Sequence, residues 1–303
     1  MQENGFGGYH PAVVAVYFLL VFLGTMVLTH PVCQLLSLVA GVWLLALLEG
    51  KQGLGAFLRL ASGLFFLTAL INPAFSHEGV TILCYLPSQN PLTLESMVYG
   101  LGAGVLFVSI LGWFSSFRRL MTAEKWMYLL GRPLPVLSLV LAMAMRFVPL
   151  FQKEAKEIAR AQRGIGRDAS QGSLFHRAKC AVRMTSILLT WALEKAVDTA
   201  DSMKGRGYGL PNRTAFSLYR WQRRDGVAAW YLGLLTGLLA VCAKAGAFSF
   251  RYYPSIQGVG VSLWSVTGWV CYGALLLLPH MIWYQEQWAW KKRKAAYHET
   301  NRI

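Results

Sequence analysis

The sequence predicts an all-α, polytopic membrane protein: about six transmembrane helices plus long cytoplasmic amphipathic helices inserted among them. Three observations predict it. Of 303 residues 55% are apolar and only 14% are Asp, Glu, Lys or Arg, against about 25% charged in an ordinary soluble domain. The mean hydropathy is +0.42. The charge is also segregated: of 29 bases and 14 acids, residues 117–224 hold twenty and seven, a net of +13 in one stretch. So few charges cannot clothe a water-soluble surface of this size, and soluble globular, disordered and disulfide-stapled classes are excluded. The five cysteines are scattered without a C-x-x-C pair, which argues against disulfide or metal frameworks.

Six apolar runs approach the ~20 residues that a membrane-crossing helix needs: 11–29, 31–48, 54–71, 97–117, 227–247 and 262–283. Residues 1–10 lack the basic n-region of a signal peptide, so the first run reads as a retained span. His30-Pro31 separates the first two runs by a tight hairpin or a break, and Asn72-Pro73 ends the third. Lys51 and Arg59 flank the second turn-around, Arg118, Arg119 and Lys125 follow the fourth run, and Lys291–Lys294 follow the last. The segment 72–96 has no Lys or Arg. The preference of bases for the cytoplasm then places both termini inside and 72–96 outside, with Arg251 as a minor violation. The run 134–151 is nearly long enough to cross. Arg132 before it and Lys153, Lys156, Arg160, Arg163 and Arg167 after it would drag bases outward, and Arg146 and Pro149 interrupt it. It reads as a helix at the inner interface, not a seventh span. The resulting organisation is 1–117, N-terminal transmembrane helices; 118–224, a basic cytoplasmic platform; 225–303, C-terminal transmembrane helices and a basic tail.

The platform has helical periodicity. Leu174, Ala178, Ala181, Thr185, Leu188, Ala192, Ala196, Thr199 and Met203 recur every three or four residues, with His176, Arg183, Glu194 and Asp201 opposite. The preceding helix continues through Phe147, Leu150 and Phe151 to Ile158, and Lys153/Glu157 stand at helical pairing distance. Each helix ends in Arg and Gly: Arg163-Gly164 and Gly205-Arg206-Gly207. A glycine after a basic last turn is what a plain helix C-cap uses. An arginine at a helix tip is also a rigid fork of donors suited to a partner's carboxylate.

Several chemistries are missing. No phosphate-binding loop G-x-x-x-x-G-K-[ST] occurs, and the histidines at 10, 30, 77, 176, 280 and 298 have no metal spacing. The middle sections of the spans hold no Asp, Glu, Lys or Arg, which weighs against an ion-coupled carrier. Gly100-x-x-x-Gly104 and Gly233-x-x-x-Gly237 suit close helix packing. Acids interspersed among the platform bases disfavour a nucleic-acid groove. No cofactor is called for.

These residues resemble the transmembrane T component of energy-coupling factor transporters, ATP-driven importers of vitamins and trace metals. The likeness is carried by Arg146-Phe147-Val148-Pro149-Leu150, Ala161-Gln162, Gly172–Ala178, Ala192-Leu193-Glu194-Lys195-Ala196, Gly205-Arg206-Gly207-Tyr208 and Arg220 with Arg223-Arg224-Asp225. The resemblance implies a non-enzymatic subunit in the cell membrane, joined to two cytoplasmic P-loop ATPases and to a separate substrate-binding membrane subunit. Its Ala-Arg-Gly-type tips would dock in the ATPases. Arg206 and Gly207 match the second tip, with Gly205 where Ala is frequent. At the first, keeping Ala161-Gln162 and Asp168 in register puts Ile165-Gly166 at the Arg-Gly position; either Arg163, with Gly164, or Arg167 could serve. The rival reading is a self-contained membrane enzyme or carrier.

Overall fold

The computed structural model describes residues 5–76, 78–85, 91–131, 133–167, 172–210, 219–258 and 262–300. His77, Arg132 and Asp168 lie outside the described residues. The chain divides into two units, residues 1–126 with 219–303, and residues 127–218.

In the larger unit, α1 (Pro11–Val27) and α2 (Pro31–Phe75) start the same way. A proline occupies the first turn, where its missing N–H costs nothing. The preceding histidine caps it: His10 Nδ1 accepts from Ala12 N and His30 Nδ1 from Val32 N, both at 3.3 Å. Residues 28–30 therefore form a tight turn between two separate helices. The 45 residues of α2 would run about 68 Å if straight, twice the ~30 Å hydrocarbon thickness. The helix breaks at Gly50, with φ 68° and ψ −168°, a conformation open essentially to glycine alone. The two apolar runs 31–48 and 54–71 become two arms about that break, and Arg119 reaches Glu49 at 3.7 Å beside it. Then come α3 (Leu94–Leu120), the start of α4 (Ala123–Gly131, which continues into the smaller unit from residue 127), α7 (Arg223–Lys244) and α8 (Leu263–Thr300). Two small antiparallel hairpins join these helices: β1 (Ile82–Tyr85) with β2 (Pro91–Thr93), and β3 (Phe250–Arg251) with β4 (Gln257–Gly258).

Among the described residues, five helices are long and apolar enough to cross a membrane: Pro31–Phe75, Leu94–Leu120, Val136–Gly164, Arg223–Lys244 and Leu263–Lys294, with Pro11–Val27 shorter. Counting the arms of α2 separately, the six expected spans are all helical, and Val136–Gly164, read from sequence as an interfacial helix, also has the length and apolarity of a span. The fold is all-α and polytopic.

Its core is polar at one point. Thr25 Oγ1 lies 2.9 Å from Ser37 Oγ and 3.1 Å from Tyr272 OH, and Trp113 Nε1 donates to Ser37 Oγ at 2.9 Å. These four side chains, all buried, tie α1, α2, α3 and α8 together. Tyr17 adds a bond to Leu276 O at 3.1 Å. Between α2 and α3, glycine permits contact: a Cβ on Gly104 would fall 2.8 Å from Phe65 and one on Gly100 3.1 Å from Ala69 O. At Gly233 and Gly237 a Cβ would meet nothing within 4 Å, so that pair packs no described helix.

The N-terminal turn Gly5–Gly8 is held from both sides. Lys125 Nζ donates to Gly7 O at 2.6 Å and Leu120 O at 2.7 Å. Arg224 donates to Gly8 O at 2.7 Å and lies over the Tyr9 ring. The buried Asp225 carboxylate accepts from His10 N (3.0 Å) and from Gln222 N (2.9 Å), completing a capping box on α7. Burial raises the Tyr9 pKa, against the opposing pull of Arg224.

In the smaller unit, α5 (Pro135–Gly164, 30 residues) and α6 (Leu174–Gly205, 32 residues) are about 45 and 48 Å long. They meet where Phe151 packs edge-on against Trp191, ring centroids 5.6 Å apart. The expected Lys153–Glu157 pair forms at 3.9 Å. The expected apolar stripe of α6 is only partly the inner one. Leu188, Ala192, Thr199 and Met203 are half-buried, but so are Met184, Trp191 and Lys195, and Cys180 is buried, while Leu174, Ala178, Ala181, Thr185 and Ala196 are exposed. The inner side is rotated because the bulky Trp191 and Met184, not the alanines, make the contact.

The Gly50 break yields a direct expectation. Gly50→Ala, which puts a Cβ on that backbone, should cost about 1–3 kcal/mol. Gly55→Ala, in ordinary helix with open space around it, should be neutral or stabilising by about 0.5–1 kcal/mol. Thermal unfolding of the detergent-solubilised chain checks this; equal midpoints for the two variants would contradict the assigned break.

Candidate functional site

The candidate tips are built by backbone hydrogen bonds. At the end of α6, Arg206 is the C-cap residue (φ −88°, ψ 10°), and Gly207 follows with φ 79°. Gly207 N donates to Lys204 O at 2.9 Å and Tyr208 N to Met203 O at 3.0 Å. This pair of bonds is the Schellman closure, and it needs a left-handed residue after the cap, which glycine supplies without a Cβ penalty.

The end of α5 repeats that geometry. Ile165 is the C-cap residue (φ −100°, ψ 18°) and Gly166 has φ 74°. Gly166 N donates to Arg163 O at 3.0 Å and Arg167 N to Gln162 O at 2.9 Å. Superposing the two closures position by position sets Gln162 on Met203, Arg163 on Lys204, Gly164 on Gly205, Ile165 on Arg206, Gly166 on Gly207 and Arg167 on Tyr208. Gly164 and Gly205 therefore both end their helices, and Gly166 and Gly207 both make the turn.

The side chains at the two caps differ. Arg206 is exposed, and among the described residues it forms no ion pair. The equivalent Ile165 is 61% exposed and apolar. Arg163 stands two residues before the α5 cap and Arg167 two after it; both are exposed. Cation spacing passed over Gly166; its signal was the Ile165-Gly166 register with Ala161-Gln162. Nearby acids are paired along α6: Asp198 lies 3.1 Å from Lys195 and raises that lysine's pKa, and Asp201 lies 4.0 Å from Lys204.

Two apolar surfaces complete the unit. On α6, Phe175, Val182, Leu189, Leu193 and Val197 lie on one side, exposed by 83%, 71%, 60%, 62% and 62%. Their spacing of four or seven residues marks one side of a helix, neighbouring the line of alanines. On α5, Val140, Met143, Ala144, Phe147, Val148 and Phe151 line a groove of about 410 Å³.

Comparison with known proteins fits this arrangement. A family model described as CbiQ, cobalt transport protein, matches residues 9–216. Among curated relatives, the "Energy-coupling factor transporter transmembrane protein EcfT" of Lactobacillus helveticus is 36% identical over 110 residues, 36% of this chain and 40% of the relative. That of Lacticaseibacillus paracasei is 39% identical over 108 residues, 35% and 41% of the two chains. "EcfT 1" of Listeria monocytogenes is 34% identical over 110 residues, 36% and 41%. The chain thus matches about two fifths of the length of these relatives. With over half of its own residues covered by the family model, the chain belongs to the CbiQ family of membrane transport proteins, the energy-coupling factor T components.

Proposed function

We propose that the chain is the energy-coupling membrane subunit of an ATP-driven importer. The observation that carries this reading is the matched pair of caps at the ends of two successive long amphipathic helices. Two cytoplasmic P-loop ATPase subunits are the partners of these tips. Arg206 and Gly207, with Gly205, form one contact. Arg163 and Gly164 form the other, with Arg167 as the alternative cation across the Gly166 turn. A separate substrate-binding membrane subunit sits on the apolar side of α6 and the groove of α5, whose exposed aliphatic surface has no use in water. ATP-driven motion of the ATPases tilts α5 and α6 and so reorients that subunit. Hydrolysis belongs to the partners, and the chain itself is not an enzyme and engages no nucleic acid. In this reading residues 118–224 are cytoplasmic, as are both termini, and 72–96 are external. No specific observation favours the self-contained enzyme or carrier.

Loss of a desolvated charge-assisted contact costs about 2–5 kcal/mol, while an exposed charge at a helix end is worth about 0.3–1 kcal/mol. Arg206→Glu should therefore strip an ATPase from the affinity-purified complex and abolish uptake at normal expression. Gly207→Ala, which opposes the turn that presents Arg206, should weaken both. Recovery of both ATPases with wild-type uptake in Arg206→Glu would defeat the coupling assignment.

Topology can be read from native chemistry. Cys84 is exposed and the other four cysteines are buried. An impermeant maleimide added to intact cells should label the wild-type chain at Cys84 and spare Cys84→Ser. An Asp201→Cys variant in the Cys84→Ser background should label only after permeabilisation. Labelling of that variant in intact cells would overturn the cytoplasmic placement of α6. The positions Ser88 and Ser170, natural choices from sequence, lie outside the described residues.

A further inference from the structure

We infer that the cleft between α1 and α7 is a binding site for one anionic phospholipid. This does not rest on the coupling reading or on which side is cytoplasmic; it requires only that α1 and α7 stand in a bilayer.

The cleft, about 320 Å³, is lined by Ala12, Val13, Val16 and Leu20 of α1, by Ala229, Leu232, Gly233 and Thr236 of α7, and by Trp221. Its volume falls within the roughly 300–1,000 Å³ of small-ligand pockets. It is open at Gly233, where a Cβ would meet nothing within 4 Å. The lining residue Val16 is exposed and apolar, so the opening presents an apolar surface.

One end of the cleft has the chemistry of a headgroup site. Trp221, 56% exposed, leans on the His10 ring at 5.0 Å, and amphipathic tryptophan belongs at the headgroup level. Arg220 and Arg223 flank it in sequence, both exposed, and among the described residues neither forms an ion pair. The neighbouring acid, Asp225, is buried and committed to His10 N and Gln222 N, and Arg224 is committed to Gly8 O. From Arg223, the lining positions 229 to 236 descend about 9–20 Å at 1.5 Å per residue, the depth of one acyl chain in a leaflet roughly 15 Å thick, half the hydrocarbon core. Two exposed arginines flanking Trp221 in sequence, at one end of an apolar slot of that depth, would complement an anionic headgroup with its chain below.

Native mass spectrometry of the full-length chain in mild detergent, supplied with dioleoyl phosphatidylglycerol or dioleoyl phosphatidylcholine, tests this. Wild type should retain one phosphatidylglycerol at on the order of tenfold lower lipid concentration than phosphatidylcholine. Arg220→Ala with Arg223→Ala should erase the preference and leave the two lipids equal. Gly233→Leu should fill the cleft and lose the single retained lipid, whereas Gly237→Leu, at an equally open glycine outside the lining, should keep it. Equal retention of both lipids by wild type, an unchanged preference in the double arginine variant, or full retention by a folded Gly233→Leu would each overturn the site. If Gly233→Leu fails to fold, the exposed arginine pair decides alone.

Discussion

The register of four helices in the larger unit depends on one constraint: polar side chains taken into an apolar body gain most by finding each other. Thr25, Ser37, Trp113 and Tyr272 do so from four different helices. In hydrocarbon an unmade hydrogen bond has no water to fall back on. Sliding α1 along α2 would uncouple Thr25 from Ser37, and shifting α3 would orphan the indole N–H of Trp113. Van der Waals packing alone is permissive about register, since lipid is as apolar as leucine. The network supplies the register, and glycine supplies the room: a Cβ at Gly41 would stand 3.1 Å from the Trp113 indole nitrogen.

The same logic holds for the charged groups buried in that unit. Lys125 and Asp225 are both nearly inaccessible, 5% and 1% exposed, and buried charges need partners. Each finds them in the backbone of the N-terminal segment: Lys125 at Gly7 O, Asp225 at His10 N. In chain order these residues bracket residues 127–218, Lys125 in α4 before them and Asp225 in α7 after them. Gly7 and His10 thus partner both charges, which accounts for a buried lysine and a buried aspartate at the edges of the most basic stretch. It also gives Arg224 and Asp225 a role in the fold of this chain: one holds Gly8 and stacks on Tyr9, and the other caps α7.

What could be read from sequence follows from how local the signal is. The apolar runs, the histidine-proline starts and the lengths of α5 and α6 are properties of contiguous residues, and all were legible. So was the Gly100/Gly104 contact, although its twin Gly233/Gly237 had the same spacing and packs nothing. Spacing states which residues share a line on a helix, and only the neighbouring helix decides whether that line is filled. The break at Gly50 was expected as a turn-around, because Lys51 and Arg59 were visible and the continuity of backbone hydrogen bonding was not. The rotation of the inner face of α6 escaped for a related reason. Alanine periodicity marks where a helix could approach, but the ring of Trp191 against Phe151 sets where one does.

The two tips contain their own control for the meaning of Arg206. A plain C-cap explains the glycine, because the left-handed turn needs it, and attributes the arginine to the helix dipole. Yet the end of α5 closes with the same two backbone bonds, at 3.0 and 2.9 Å against 2.9 and 3.0 Å, while carrying isoleucine at the cap. Backbone closure is therefore indifferent to the side chain at that position. A cation at the cap also gains little from the dipole when exposed, a few tenths to about 1 kcal/mol, and α6 already has Lys204 in its last turn. The turn fixes where the cap side chain is carried, and the turn does not choose it. An exposed guanidinium held at that point by a closure that has no need of it is chemistry left over from folding, which is where a contact with another subunit is to be sought.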